Sequence, residues 1–317
     1  MPESNPAPSS PPTLALGQFG QSPWTRAARR FVALRTAVAA SLFLLALLLA
    51  VFSSPVWWPH HPETLTQAQW ASPSLTHWLG TDANGRDLLA RICAGARISL
   101  WVGLAGAVVS LVIGVVWGAV AGYVGGRLDG VLMRTVDILY SLPSVIFIIV
   151  LLTTLQAPAR AILARLGSGQ DADHAPLLLL ILGLGAISWL TMARIVRTQV
   201  MSLRQRPFVE ASIALGAGHA RLLFRHILPN TTGVILTYLT LTLPTVVLAE
   251  SFLSYLGLGV QPPQASLGTL IAEGAAQINP IRTYGWLLAG PAGMLVGLLL
   301  ALGFLGDGIR DALDPRS

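Results

Sequence analysis

Six apolar stretches of this chain run for nineteen or more residues without a charged side chain: 36–62, 98–126, 138–159, 175–193, 227–249 and 283–306. A bilayer core about 30 Å thick takes roughly 20 helical residues. The spacing therefore predicts six transmembrane helices and an all-α polytopic fold. A membrane barrel would show short segments of alternating polarity instead. Only 11% of the residues are charged and 53% are hydrophobic, whereas a soluble domain carries about 25% charged residues.

Arginine sets the expected orientation. All 20 basic residues are Arg. With the N-terminus inside, fourteen fall in inside segments: Arg26, Arg29, Arg30, Arg35, Arg127, Arg134, Arg194, Arg197, Arg204, Arg206, Arg221, Arg225, Arg310 and Arg316. Six fall outside: Arg86, Arg91, Arg97, Arg160, Arg165 and Arg282. This bias predicts that both termini and the 194–230 segment are cytoplasmic. The sequence pI near 10.4 follows from arginines facing anionic lipid and does not point to nucleic acid. A single cysteine, Cys93, excludes an internal disulfide. Residues 1–30, rich in Pro and Ser at the start, read as a disordered tail. Residues 31–53 read as a first helix too long for a cleaved signal peptide, and 54–96 as an extracytoplasmic segment.

That segment opens on Pro55, Trp57, Trp58 and Pro59, aromatics suited to a membrane interface. Thr81 or Asp82 is a plausible helix N-cap, and Asp87 and Arg91 are spaced to pair on a helix face. The segment is either a docking surface for an extracellular partner or an interfacial helix. Further on, Gly106, Ser110, Gly114, Gly118, Gly122 and Gly126 recur every four residues. In lipid such a ladder lets two helix backbones approach closely; the partner helix is not legible. Pro143 lies in the third apolar run and Pro244 in the fifth, and each predicts a kink. Asp137 reads as a cap. Residues 157–175, with Pro158, Gly167 and Gly169, read as an outside loop. Glu250 either lines a pathway or is a snorkelling or capping carboxylate. Residues 256–282 are too broken by Pro and Gly to span.

Several chemistries are excluded. A phosphate-cradling G-x-x-x-x-G-K-[ST] loop needs a lysine, and the chain has none. His60, His61, His77, His174, His219 and His226 show no metal-ligand spacing. Intramembrane enzymes and proton-coupled carriers need ionisable groups at membrane depth, and these spans hold almost none.

Residues 209–230, VEASIALGAGHARLLFRHILPN, form a polar, Arg-bearing hairpin between two apolar runs. Pro207 suits the first position of a helix, and Glu210 suits its positive end. Ala211, Ala214 and Gly218 are expected to share one face, with Gly216 keeping the far end slim. A second helical stretch, about 220–228, carries Arg221, Arg225 and His226 and ends at Pro229. Glu210-Ala211-Ser212, Gly216, Leu223, His226, Leu228 and Pro229 resemble the EAA loop of binding-protein-dependent ABC importer permeases, with Ser212 in place of a second Ala. Other runs are similar to the dipeptide/oligopeptide/nickel branch: His77–Asp82 with Gly85-Arg86-Asp87, Gly95–Leu100, Gly122–Gly126, Met133–Asp137 and Glu250–Gly259 with Pro262-Pro263. Leu267 departs from the usual Trp. Gly306–Pro315 looks like the C-type subunit of that branch.

The resemblance implies a MetI-like ABC transmembrane domain over 97–306, with a cytoplasmic coupling loop at 201–230 and a cytoplasmic tail at 307–317. Glu210, Ala211, Ser212, Ala214, Gly216, His226 and Pro229 would then couple to an ATPase, although His226 equally suits a helix surface inside the permease. Glu250, Pro143 and Pro244 are candidates for pathway or gate. The implied partners are a sister permease, two ABC ATPase subunits, an extracytoplasmic solute-binding protein and membrane lipid. ATP and Mg would belong to the ATPases, with no cofactor or metal on this chain. The expected function is ATP-driven import of di- or oligopeptides across a bacterial inner membrane. Nickel, glutathione or another small solute is the alternative cargo, and an ion-coupled secondary transporter a more distant alternative.

Overall fold

The computed structural model describes residues 23–166, 175–262, 264–278 and 283–313. Most of the proline-rich tail, the 167–174 segment with its two glycines and His174, Pro263, Arg282 and the last four residues lie outside the described residues. Eleven α-helices follow in chain order among the described residues: α1 Pro23–Ala33, α2 Arg35–Trp57, α3 Leu88–Val124, α4 Gly126–Tyr140, α5 Ser144–Leu166, α6 Ala175–Arg204, α7 Pro207–Ala214, α8 His219–Arg221, α9 Leu228–Tyr255, α10 Leu267–Ala276 and α11 Gly285–Leu313. A π-helical turn, Leu222–Ile227, joins α8 to α9. Six helical spans are long and apolar enough to cross a membrane: Arg35–Trp57, Leu88–Val124, Ser144–Arg165, Ala175–Arg204, His219–Tyr255 and Gly285–Leu313. The fold is all-α. Among the described residues, β-pairing is limited to two isolated bridges, Thr81 with Asp87 and Ile278 with Thr283.

The glycine ladder locates the centre of the bundle, because its partner is α6 of the same chain. A Cβ on Gly114 would stand 2.6 Å from Met192 Cβ, one on Gly122 2.6 Å from the Arg197 carbonyl oxygen, and one on Gly118 would run into the Ala193 carbonyl oxygen. Gly106 instead faces Val246 of α9 at 3.0 Å and Leu184 of α6 at 3.6 Å. Ser110 is buried in the same seam, its hydroxyl without a partner among the described residues. The opposite face of α3 carries Trp101, Leu104, Val108, Val112 and Val116, all exposed; that stripe suits lipid or another subunit. Gly126 does not belong to the ladder. It begins α4, has φ +59° and touches nothing within 4 Å of its Cβ position. The Gly125–Gly126 pair turns the chain because both residues take positive φ.

Several local expectations are corrected. Residues 23–33 form a helix where a tail is expected. Phe31 lies beside Gly308 of α11, within 3.2 Å of that glycine's Cβ position. Asp87, rather than Thr81 or Asp82, caps α3 by accepting from the Ala90 N–H at 2.8 Å. Arg91 pairs with Asp82 and Glu273 instead of Asp87. Pro143 stands in the break between α4 and α5 and does not bend a continuous helix. Proline disfavours αR geometry in the residue before it, so a break at this point is the expected result. Pro158 lies inside α5 and Pro244 inside α9, and both helices run on through them. Asp137 does not cap with its side chain; its carboxylate pairs with Arg194 at 2.7 Å.

At the end of the bundle opposite α7, residues 58–87 fold into a cap. Asp82 accepts from the Asn84 and Arg86 backbone N–H groups, the Arg86 guanidinium and Arg91. Arg91 reaches on to Glu273 of α10, and the Trp70 indole donates to Gln277 at 3.1 Å. These bonds fasten the cap to α3 and α10. Beneath it lies an apolar cluster that includes Leu88, Ile92, Leu267, Leu270, Leu287 and Leu298.

Candidate functional site

The hairpin at the other end is anchored on one side and bare on the other. Arg206 has extended backbone and precedes Pro207, which opens α7 in its first turn; Glu210 sits beside that positive end. One residue of α7, Val209, is fully buried among Val196, Val200, Leu222 and Ile227. The rest of the helix faces outward. Phe208 is 40% exposed, Ile213 55% and Leu215 89%. Glu210, Ala211 and Ala214 are exposed as well, while Ser212 is half-buried and donates to the Phe208 carbonyl at 2.8 Å. With a one-residue anchor and so much apolar surface left open, α7 does not bury a face as a core helix does.

Gly216 acts differently from its expected slimming role. It terminates α7 with φ +80°, its N–H donating to the Ile213 carbonyl at 2.9 Å while the Ala217 N–H donates to the Ser212 carbonyl at 3.1 Å. This pair of bonds is the Schellman pattern, which needs a left-handed residue at that position. Gly218 is not on α7; it caps α8. Pro229 does not end the second stretch. It sits in the first turn of α9, so the helix continues into the membrane span. The π turn lies where the Pro229 ring meets the carbonyl of Arg225, four residues upstream, and a widened turn relieves that clash. His226 is half-buried, and its carbonyl accepts from the Asn230 side chain at 2.6 Å.

Polar straps tie the hairpin to the spans. The Tyr123 hydroxyl, at the end of α3, bonds to His219 Nδ1 at 2.8 Å, and Arg204 donates to the Tyr123 carbonyl at 2.8 Å. Arg197 of α6 grips Asp129 of α4 with two bonds, Nη2 to Oδ2 at 2.6 Å and Nε to Oδ1. The hydrogen bonding from Arg197 holds the Asp129 carboxyl below the usual carboxylate range, against a smaller opposing effect of burial. Arg194 lies 4.3 Å from the centre of the Tyr140 ring. These bonds tie α3, α4, α6 and α8 to one another at the hairpin end of the bundle.

Behind the hairpin, a cavity of about 530 Å³ opens between α4, α5, α6 and α9. Its polar lining consists of hydroxyls: Tyr140, Ser144, Ser188, Thr191, Tyr238, Thr242 and Thr245, with no charged side chain among the lining residues. Thr242 and Thr245 donate back to carbonyls of their own helix, each at 2.6 Å, and Tyr140 and Thr191 bond to each other at 2.6 Å. Pro143 and Pro244 both sit in sequence between residues that line it. The repeat of Tyr238, Thr242 and Thr245 at helical spacing carries the cavity's signal in the sequence. Glu250 is elsewhere. It is fully buried near the far end of α9, accepting from Ser254 Oγ at 2.7 Å and Ser251 Oγ at 3.3 Å, so it does not snorkel to an interface.

A bundle of six apolar spans among the described residues, with a short helix exposing apolar side chains at one end and an uncharged, hydroxyl-lined cavity behind it, is the architecture of a membrane permease subunit. The chain belongs to the family of binding-protein-dependent transport system inner membrane components, whose pattern matches residues 114–317; residues 22–74 match the N-terminal TM domain of oligopeptide transport permease C. It is 42% identical to the oligopeptide transport system permease protein OppC of Haemophilus influenzae, over 94% of this chain and 90% of the relative. It is 43% identical to the OppC of Escherichia coli K12, over 94% and 92%, and 39% identical to that of Bacillus subtilis 168, over 92% and 90%. Among solved structures, the inward-facing MetNI methionine ABC transporter shares the fold, with a TM-score of 0.51 and 22% identity over 72% of this chain and 96% of that chain.

Proposed function

We propose that this chain is the C-type permease subunit of an ATP-driven importer that carries oligopeptides across the bacterial inner membrane. The observation that carries the reading is α7: anchored by Val209 alone and exposing Phe208, Ile213 and Leu215, in a hairpin whose next helix, α8, is tied to the end of α3 by the His219–Tyr123 bond. Two ATPase subunits hydrolyse the nucleotide, with ATP and Mg on them and no cofactor on this chain. One of them receives α7 in a groove, where Ala211 and Ala214 permit close approach and Glu210 supplies a charge to orient docking. Gly216 fixes where the helix stops, and His226 and Pro229 place the return into α9. The α7 end, and with it both termini, faces the cytoplasm. The 58–87 cap faces the solute-binding protein, and a sister permease completes the passage.

Transport proceeds by two coupled motions. ATP-driven closure of the ATPases shifts α7, and the Arg197–Asp129 and Arg204–Tyr123 contacts pass that shift to α4, α6 and α3. The helix break at Pro143 and the missing i−4 backbone hydrogen bond at Pro244 inside the continuous α9 let the cavity walls rearrange. Hydroxyls already bonded within the protein offer a peptide weak, charge-indifferent contacts, which suits a passage that must release what it holds. The relatives' cargo, oligopeptides, supports peptides over nickel or glutathione.

A cysteine at Ala211 tests the docking. Cys93, the native cysteine, is buried, so a thiol crosslinker reports on position 211. The expected outcome is a crosslink to an ATPase subunit whose yield changes with nucleotide. A complex that imports peptide while position 211 stays free of the ATPase in every nucleotide state overturns the assignment.

A further inference from the structure

His60 and His77 are seventeen residues apart in the sequence with no spacing that points to a metal, yet the fold stacks them. Their rings lie 4.5 Å apart between centroids. One ring nitrogen of each and one carboxylate oxygen of Asp87 all lie within 4.8 Å of one another. Three separate segments meet here: the turn after α2, the cap loop, and the residue that caps α3.

The chemistry of each group is set by its neighbours. Asp87 Oδ1 accepts from the Trp58 indole at 2.9 Å and from the Ala90 N–H at 2.8 Å. The carboxylate is thus oriented, and Oδ2 is turned to His77 Nδ1 at 2.7 Å. His60 Nε2 lies 2.9 Å from the Thr76 carbonyl. A carbonyl can only accept, so Nε2 carries the proton and the lone pair of His60 is on Nδ1. A carbonyl behind one imidazole and two N–H donors behind the carboxylate are the outer contacts that orient metal ligands. Trp58 closes one side, its ring 5.5 Å from that of His60.

We propose that His60, His77 and Asp87 form a site for one divalent transition-metal ion that staples the 58–87 cap to the start of α3. Two imidazoles and a carboxylate suit Zn²⁺, Ni²⁺ or Cu²⁺ and discriminate against Mg²⁺ and Ca²⁺, which prefer all-oxygen ligands. Two atoms bound to one ion at about 2.0–2.2 Å stand roughly 3.0–3.5 Å apart, so the His77–Asp87 pair opens from its 2.7 Å while the His60 ring moves in. His60, half-buried and outside any helix, supplies that movement. His77 ligates through Nδ1 with its proton on Nε2, so the ion replaces the His77–Asp87 hydrogen bond. Water fills the remaining coordination. The site is lined by none of the cavity hydroxyls, so the ion is a resident of the cap and not cargo.

The test uses the full-length chain, purified in nanodiscs with a tag free of histidine. Zn²⁺, Ni²⁺, Cu²⁺ and Mg²⁺ are presented singly, with metal content after dialysis and the thermal midpoint as readouts. The expected result is one Zn²⁺ per chain with a raised midpoint, no response to Mg²⁺, and at least tenfold weaker Zn²⁺ binding in His60→Ala. His61→Ala, beside the site but outside it, serves as the folded control and retains wild-type binding. Equal Zn²⁺ binding by wild type and His60→Ala overturns the proposal, as does wild-type protein that binds none of the three transition metals.

Discussion

Replacing Gly216 isolates a single physical quantity. Nothing lies within 4 Å of the position an added Cβ would take, and the residue holds φ +80°, so Gly216→Ala introduces no clash with neighbouring residues. The cost is that of a Cβ in left-handed backbone, about 1–2 kcal/mol. That energy falls on the two bonds that end α7, from the Gly216 and Ala217 amides to the Ile213 and Ser212 carbonyls. It corresponds to a shift of about 5- to 30-fold in the population of the formed turn. Hydrogen exchange at the Ala217 amide, read on the complete transporter, is expected to accelerate by that factor. Gly216→Asn accelerates it less, because Asn tolerates the left-handed region, and Gly216→Val more, because a β-branched residue there is a steric outlier. Peptide moved per ATP hydrolysed, in reconstituted vesicles, follows the same order, while ATPase assembly persists because Val209 still anchors the helix. Unchanged exchange at Ala217 in Gly216→Val refutes the role of the turn. Accelerated exchange with undiminished peptide moved per ATP refutes its role in coupling.

Other outcomes follow from the same geometry. Gly118→Ala forces α3 away from the Ala193 carbonyl and destabilises the protein by about 1–3 kcal/mol, whereas Gly130→Ala, on α4 with open space around it, leaves thermal stability unchanged or slightly raised; equal behaviour of the two contradicts the α3–α6 seam. The Asp129 carboxyl is held below its ordinary range by Arg197, so its folded pKa lies below the unfolded value of about 3.9. Its stabilisation is full above that value and is lost as pH falls through the folded pKa. A thermal-midpoint profile across the acid range is therefore steeper in wild type than in Asp129→Asn, and superimposable profiles negate the contribution. Thr242→Arg places a charge in the hydroxyl-lined cavity and is expected to abolish uptake while the subunits still co-purify. Wild-type uptake in that variant removes the cavity from the passage.

The hairpin was more legible in the sequence than its mechanics. Pro207 and Glu210 mark the start of a short helix, because helix starts are local chemistry. The role of Gly216 as terminator was hidden, since small size and positive φ both select glycine. Pro229 reads as a stop in the sequence, because proline is compatible both with the end of one helix and with the first turn of the next, and here it stands in the first turn of α9. At the other end, an i to i+4 rule paired Asp87 with Arg91, but the cap brings Asp82 and Glu273 to Arg91 and leaves Asp87 to Trp58, Ala90 and His77.

By itself the sequence determined six membrane helices, a close-packing face on α3 and a polar helical hairpin between the fourth and fifth spans. Each of these rests on composition or periodicity within a single segment, and lipid leaves little choice to a long uncharged run, whose backbone must satisfy its own hydrogen bonds as a helix. Only the tertiary structure decided that α6 receives the glycine ladder, that Arg197 grips Asp129, that hydroxyls from four helices share a cavity, and that His60 meets His77 above Asp87. Those pairings join residues far apart along the chain, and their energies depend on a mutual placement that no local pattern encodes.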